Sequence, residues 1–175
     1  MKLKVGETFQ QLALTNIHGA PVALPDIQSK WVHLQFLRFA GCPICNLHLQ
    51  TFLKKAEVLK TAGIHEVLLF HSSTESLLPF QGAFPFDVIG DPEKILYRRF
   101  GVESSVFSIL NPLAWPAIIK GNLAKARPRG GPEGGPLGLP ADVLMTPQGT
   151  IIAVHYGTYA SDQWTVEQVL DRAKD

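Results

Sequence analysis

Apolar runs alternate with helix-like stretches along the first half of the chain. Residues 31–37 form a short, mostly apolar run, which is typical of a strand buried on both faces. From Pro43 to Leu59, apolar residues recur every three or four positions with charged residues between them, and Gly63 is a good stop for such a helix. Residues 65–71 are the next apolar run. This order predicts a parallel α/β sheet whose first strand passes directly into the first helix.

The same pattern continues toward the C-terminus. Residues 72–75 (Ser-Ser-Thr-Glu) have the capping-box pattern that opens a helix, and residues 91–100 predict a third helix. Residues 141–146 and 150–156 flank a Pro-Gln-Gly turn and predict a hairpin. Residues 164–173 predict a closing helix.

One region interrupts this alternation. Residues 105–126 are apolar with a few basic positions, and residues 127–138 are dense in Gly, Pro and Arg. Together they predict an insertion at about 105–137, made of short helices and a long loop. Two interpretations are open: a surface helix pair packed on the core, or a lid or docking surface for a partner.

Composition limits the possible partners and location. The chain has 175 residues, which fits one domain spanning 1–175, and its net charge of +1 gives no general attraction to nucleic acid or anionic membranes. The first residues lack the apolar segment of a signal peptide, and no stretch approaches the roughly 18 apolar residues of a membrane span. We therefore expect a cytoplasmic protein with neither nucleic-acid nor membrane partners.

Both cysteines of the chain lie in one motif, Cys42-Pro43-Ile44-Cys45, between the first predicted strand and its helix. Pro43 suits the first helical position, which places Cys42 at the helix tip and Cys45 one turn further on. The unpaired N–H groups and partial positive charge of a helix N-terminus favour a thiolate, and Arg38 can add a full positive charge. The spacing predicts a redox-active dithiol.

A metal site and a structural crosslink are the alternatives. Two thiolates fall short of the four ligands of a structural zinc site, even if His48 were a third, so we expect neither metal nor cofactor. A permanent disulfide would be unusual in the cytosol. Of the other histidines, His71 is a candidate site residue because it ends a parallel strand, the edge at which α/β sheets place their ligands.

Several stretches resemble a known family. CxxC at a strand–helix junction is similar to the thioredoxin-like signature. The segments VGETFQQLALTNIHGAPVALPD, HSSTESLLPFQGAFPFDVIGDPEKILYRRFGV and GLPADVLMTPQGTIIAVHYG resemble parts of the alkyl hydroperoxide reductase/thiol-specific antioxidant family, the peroxiredoxin branch. Within it, the chain looks most like redox proteins related to selenoprotein L. This resemblance implies a thioredoxin-like three-layer sandwich with a central mixed sheet, an N-terminal hairpin and the 105–137 insertion.

The resemblance also implies site residues, and the chain departs from the family at its cysteine motif. The family's Pro-x-x-x-Thr-x-x-Cys motif falls on Arg38, Cys42 and Cys45, so only its last residue is kept. The stretch around Pro140 resembles the Gly-x-Pro of thioredoxins, which implies a cis Leu139–Pro140 bond facing the dithiol. The chain as a whole resembles a peroxiredoxin, while its CxxC motif resembles that of a dithiol exchanger.

These observations predict a thiol–disulfide oxidoreductase with catalytic Cys42 and Cys45. The predicted substrate-binding residues are Arg38, Pro43, Leu139 and Pro140. In disulfide exchange Cys42 is expected to attack first, whereas the peroxiredoxin alignment would make Cys45 the attacker of a hydroperoxide. The expected partners are a thiol or disulfide protein or a hydroperoxide, with thioredoxin or glutathione as reductant. The alternatives are a thiol peroxidase and a non-catalytic module that docks through the insertion.

Overall fold

A five-stranded sheet forms the centre of the protein. The computed structural model describes residues 2–102, 112–116, 119–120, 133, 135 and 137–174. The spatial order of the sheet is β5-β4-β3-β6-β7; β3, β4 and β5 are parallel, while β6 and β7 run antiparallel to their neighbours. The strands are β3 (Trp31–Phe36), β4 (Ile64–Phe70), β5 (Asp87–Gly90), β6 (Ala141–Met145) and β7 (Ile151–Tyr156).

A hairpin and five helices complete the described fold. The hairpin pairs β1 (Leu12–Thr15) with β2 (Pro21–Leu24) in antiparallel fashion. The helices are α1 (Pro43–Lys54), α2 (Ala56–Thr61), α3 (Thr74–Gln81), α4 (Ile95–Arg99) and α5 (Val166–Arg172). The predicted α/β class, mixed sheet and N-terminal hairpin are therefore confirmed.

The central strand β3 is buried on both faces, as its continuous apolar run predicts. Val32, Leu34 and Phe36 contribute to one core cluster, which also contains Phe100 beyond α4 and residues of the β1–β2 hairpin. Trp31 belongs to a cluster on α1, α2 and α5. Helices thus cover both sheet faces, which produces the three-layer sandwich.

Local interactions change several predicted boundaries. The helix expected to run unbroken to Leu59 breaks at Lys55, where α1 ends and α2 begins. Helix α3 is capped by Ser73 rather than Ser72, because the Ser72 hydroxyl instead accepts a hydrogen bond from the Ala40 amide at 3.0 Å. Strand β5, with only four residues, gives too short an apolar run to be predicted.

The third predicted helix is also shorter than residues 91–100. The carboxylate of Asp91 accepts hydrogen bonds from the Ile95 and Leu96 amides, so the segment before α4 is a capped turn and the regular helix covers Ile95–Arg99. Lys94, at the cap, has a left-handed backbone.

Most of the 105–137 insertion lies outside the described residues. Within it, Pro112–Ala114 form one turn of 3-10 helix. Both interpretations of the insertion, a packed helix pair and a lid or docking surface, therefore remain predictions. Across the described part of the chain, no helix combines the length and apolar character needed to cross a bilayer.

Candidate redox site

The two cysteines lie where β3 delivers the chain to α1. Gly41, with φ of 67°, turns the backbone into the helix, and Cys42 is the N-cap residue. Pro43 follows at the start of the helix, where its missing N–H costs no hydrogen bond. The Cys42 sulfur accepts a hydrogen bond from the Cys45 amide at 3.4 Å. The side chain at the helix tip is therefore a sulfur that faces the backbone N–H groups of the first helical turn.

The two sulfur atoms are in contact as free thiols. The Cys45 Sγ donates to the Cys42 Sγ at 2.7 Å, and both residues are only 1% exposed. A disulfide bond measures about 2.05 Å, so a small movement converts this contact into a covalent bond. The pair can therefore be oxidised and reduced without unfolding the helix.

The two thiols differ in acidity. Burial raises the pKa of Cys42, but hydrogen bonding from Cys45, the charge of Arg38 and the amides of Cys45 and Ile44 lower it to about 7. The pKa of Cys45 is raised well above its ordinary value by burial and by its position as donor to the Cys42 sulfur. Near neutral pH, the negative charge of the pair therefore resides on Cys42.

Arg38 is inside the protein at the end of β3. Its residue exposure is 4%, and its guanidinium lies 5.4 Å from the ring centre of Phe39. Its positive charge lowers the pKa of both thiols, although other effects dominate at Cys45. The structure thus brings three predicted site residues, Arg38, Cys42 and Cys45, into one charged cluster, beside Pro43.

The predicted cis bond before Pro140 is wrong. Among the described residues, the cis peptide bond joins Leu24 to Pro25, and the Leu139–Pro140 bond is trans. Pro140 is buried at the entry to β6, where its carbonyl accepts a hydrogen bond from the Gly157 amide at 2.9 Å and its ring packs close to Gly157. These contacts give Pro140 a role in joining β6 to β7. Leu139, half-buried beside it, stays a predicted substrate contact.

His71 occupies the neighbouring strand end. Its amide donates to the Arg38 carbonyl at 3.1 Å, and its ring lies 6.3 Å from that of Phe39. Its Nδ1 is 3.0 Å from the Glu133 carbonyl oxygen, and Gly138 packs against its Nε2. The position of His71 follows from the sequence, but its contacts with Glu133 and Gly138 do not, because both residues are far from it along the chain.

Tyr97 is a further residue that sequence patterns do not single out. Its buried hydroxyl lies between two strand ends, donating to the Leu37 carbonyl and within 2.8 Å of the Leu69 carbonyl. Burial raises the pKa of Tyr97 well above its ordinary value, so the hydroxyl keeps its proton. Tyr97 thereby fixes the ends of β3 and β4 immediately before Arg38 and His71.

His48 contacts a polar network beneath the helix. Its Nε2 is 3.0 Å from Gln35 Oε1, and the amide of Gln35 donates to Glu66. Burial is the main reason that the pKa of His48 is lowered to about 4. In the same network His33 lies between Glu66 and Asp142, which hold its pKa at about 9 against the effect of burial. The described residues contain no group of three or more His, Cys, Asp or Glu side chains arranged to hold a metal.

Comparison with known proteins identifies the family of the chain. A family model described as AhpC/TSA antioxidant enzyme matches residues 49–158, more than half of the chain. The chain belongs to this family. Membership confirms the resemblance inferred from the sequence and makes the protein a thiol-dependent oxidoreductase. The matched region begins after Cys45, so it does not include the dithiol itself.

Solved structures show the same fold. Peroxidoxin BcpB from Mycobacterium tuberculosis matches with a TM-score of 0.70 and 17% identity, covering 98% of this chain and 96% of that one. A putative thiol:disulfide interchange protein DsbE from Chlorobium tepidum matches with a TM-score of 0.64 and 20% identity, covering 99% and 100%. Peroxiredoxin 6 of Arenicola marina, as a C45S mutant, gives 0.65 and 14%, covering 98% and 72%. No curated protein matches the chain significantly. The narrower resemblance to selenoprotein L-related proteins stays a prediction.

Proposed function

We propose that this member of the AhpC/TSA family is a thiol–disulfide oxidoreductase in which Cys42 is the attacking thiolate and Cys45 the resolving thiol. The observation that carries the proposal is the asymmetry of the pair. Cys42 has a pKa of about 7 and accepts hydrogen bonds, whereas Cys45 donates to it and has a raised pKa. That is the charge distribution that a two-step exchange requires.

The reaction follows from this distribution. The Cys42 thiolate attacks one sulfur of a substrate disulfide, forms a mixed disulfide, and releases the other sulfur as a thiolate that takes a proton. Cys45 then loses its proton and attacks the Cys42 sulfur. This forms the Cys42–Cys45 disulfide and releases the second substrate thiol, so two electrons pass to the substrate. A cellular reductant such as thioredoxin or glutathione returns the protein to the dithiol in the cytoplasm.

A thiol peroxidase is the second candidate, and family membership favours it. In that reaction a thiolate attacks the O–O bond, an alcohol or water leaves, and the resulting sulfenic acid condenses with the second thiol to a disulfide and water. The family motif would assign the attack to Cys45, yet the pKa of Cys45 is raised. Arg38 and Cys42 stand where that motif has proline and threonine. These features support disulfide exchange over peroxide reduction.

Two single-cysteine variants test the order of attack. Cys45→Ser and Cys42→Ser are each mixed with oxidised glutathione near neutral pH, and the glutathione adduct is followed by intact mass. We expect Cys45→Ser to accumulate the adduct at least about fivefold faster, because a lower pKa raises the thiolate fraction more than it lowers nucleophilicity. Equal rates, or faster reaction of Cys42→Ser, would contradict the proposed order.

Hydroperoxide consumption separates the two activities. Wild type and both variants are assayed with hydrogen peroxide and with a disulfide substrate, in the presence of the same dithiol reductant. Disulfide exchange predicts that wild type reduces the disulfide faster and that Cys42→Ser abolishes this reduction. Rapid peroxide turnover that persists in Cys42→Ser and is lost in Cys45→Ser would establish the peroxidase instead. Partner binding retained when both cysteines are serine would support the docking module.

A further inference from the structure

His71, whose amide hydrogen-bonds to the Arg38 carbonyl, presents a buried ring nitrogen at the end of β4. The residue is fully buried, and among the residues that the structure describes its Nε2 has no hydrogen-bond partner. Gly138 packs directly against it: a Cβ at position 138 would lie 2.7 Å from Nε2 and 3.8 Å from Arg38 Cγ. A buried polar atom without a partner is costly, so its retention calls for an explanation.

The protein fixes which nitrogen of His71 carries the proton. Nδ1 lies 3.0 Å from the Glu133 carbonyl oxygen, which can only accept, so Nδ1 is the donor and Nε2 has a free lone pair. Burial and the charges of Lys94 and Arg38 lower the pKa of His71 to about 4, although the Glu133 contact opposes this. His71 is thus a neutral imidazole whose Nε2 is an acceptor near neutral pH.

The position of His71 relates this acceptor to the dithiol. The His71 amide donates to the Arg38 carbonyl, and the charge of Arg38 acts on His71 and on both thiols. The Phe39 ring packs in the cluster that contains Cys42 and Cys45, and the Phe39 carbonyl accepts from the Cys42 amide at 3.1 Å. Sulfurs and Nε2 are all covered in the substrate-free protein. A disulfide substrate can reach the buried Cys42 sulfur only when the residues that cover it move, and Gly138, which packs against Nε2, has no side chain.

We propose that His71 Nε2 accepts a hydrogen bond from a backbone N–H of a disulfide-bonded peptide while Cys42 attacks the disulfide. The proposal rests on the disulfide exchange proposed above and adds a substrate class to it. A peptide N–H supplies the donor that the buried acceptor lacks. Small disulfides without a donor would react with Cys42 but gain nothing from His71.

Two substitutions of His71 distinguish the roles of its two ring nitrogens. His71→Asn keeps a donor near the Nδ1 position and removes the acceptor, whereas His71→Gln keeps an acceptor near the Nε2 position. Oxidised glutathione, which carries amide N–H groups beside its sulfurs, is compared with dithiodipyridine, which has no N–H or O–H donor. His18→Asn, at an exposed position, is the control.

We expect His71→Asn to lower kcat/KM for oxidised glutathione about fivefold to tenfold, the effect of losing one hydrogen bond, with dithiodipyridine unchanged. His71→Gln should recover part of this loss. An equal loss with both substrates, no loss with either, or a changed pKa of Cys42 in His71→Asn would overturn the proposal. A wild type that fails to react with dithiodipyridine would instead overturn the underlying disulfide exchange.

Nitrogen NMR of the imidazole provides a measurement that leaves His71 itself unchanged. The free protein should show Nδ1 protonated and Nε2 bare at neutral pH. In the Cys42–glutathione adduct of Cys45→Ser, the Nε2 resonance should shift as it accepts a hydrogen bond. A protonated Nε2 in the free protein, or an unchanged resonance in the adduct, would contradict the proposal.

Discussion

Replacement of Arg38 by alanine tests the electrostatic basis of the site. The fall in the pKa of Cys42 from 9.0 to about 7 corresponds to about 3 kcal/mol in favour of the thiolate. Burial opposes this fall, so the favourable contributions together exceed that figure. Arg38 supplies the full positive charge among them, and its burial limits screening by water and salt. We expect Arg38→Ala to raise the pKa of Cys42 by about one, equivalent to about 1.4 kcal/mol.

The assay is the pH dependence of Cys42 alkylation, followed by mass spectrometry so that Cys45 is distinguished. Arg38→Lys retains the charge and should keep most of the effect, while Arg98→Ala removes an exposed arginine as a control. A less stable thiolate also makes the disulfide harder to reduce, so the reduction potential of Arg38→Ala against glutathione should fall. Unchanged alkylation profiles and potentials in Arg38→Ala would refute the reasoning and leave activation to the helix tip alone.

Three further predictions concern stability. Gly138→Ala places a Cβ 2.7 Å from His71 Nε2, so the free energy of unfolding in urea should fall by about 1–3 kcal/mol. An unchanged value would show that the backbone around Gly138 moves to accommodate the methyl group. Tyr97→Phe removes the hydroxyl that donates to the buried Leu37 carbonyl, while the Leu69 carbonyl still accepts from the Leu37 amide, so the same measurement should show a cost of about 1–3 kcal/mol. A smaller cost would mean that water replaces the hydroxyl. The folded-state pKa of His33, about 9, lies above its unfolded value of 6.5, so its contribution is complete below pH 6.5 and is lost as the pH rises through 9. The free energy of unfolding should fall over that window and His33→Gln should flatten the fall, whereas equal slopes would contradict the charge pairing with Glu66.

The sequence predicts those parts of the site that depend on local chemistry. A short continuous apolar run is typical of a strand covered on both faces, and cysteines on either side of a Pro-Ile pair at its end fit one helix turn. The position of Arg38 follows from the same strand. These residues are close in sequence, so spacing alone brings them together.

Contacts over long sequence distances are not predictable in this way. The Ser72 hydroxyl is engaged by Ala40, and this decides which serine caps α3, yet both serines fit the pattern. Likewise, the cis bond expected before Pro140 followed from motif resemblance, while the actual trans geometry accompanies packing against Gly157. The free lone pair of His71 depends on the Glu133 carbonyl, which lies 62 positions further along the chain.

The buried ion pair between His33 and Glu66 has a consequence for strand alignment. These residues face each other across β3 and β4, and the unbroken pairing continues to the Phe36–Leu69 pair. A slip of one residue would turn either charge to the opposite, apolar face of the sheet, and separating a buried pair is costly. The ion pair therefore fixes the register of β3 against β4. Five residues further along each strand stand Arg38 and His71, whose backbones hydrogen-bond to each other. The alignment of Arg38 with His71 beyond the strand ends is thus set by the His33–Glu66 charge pair inside the sheet.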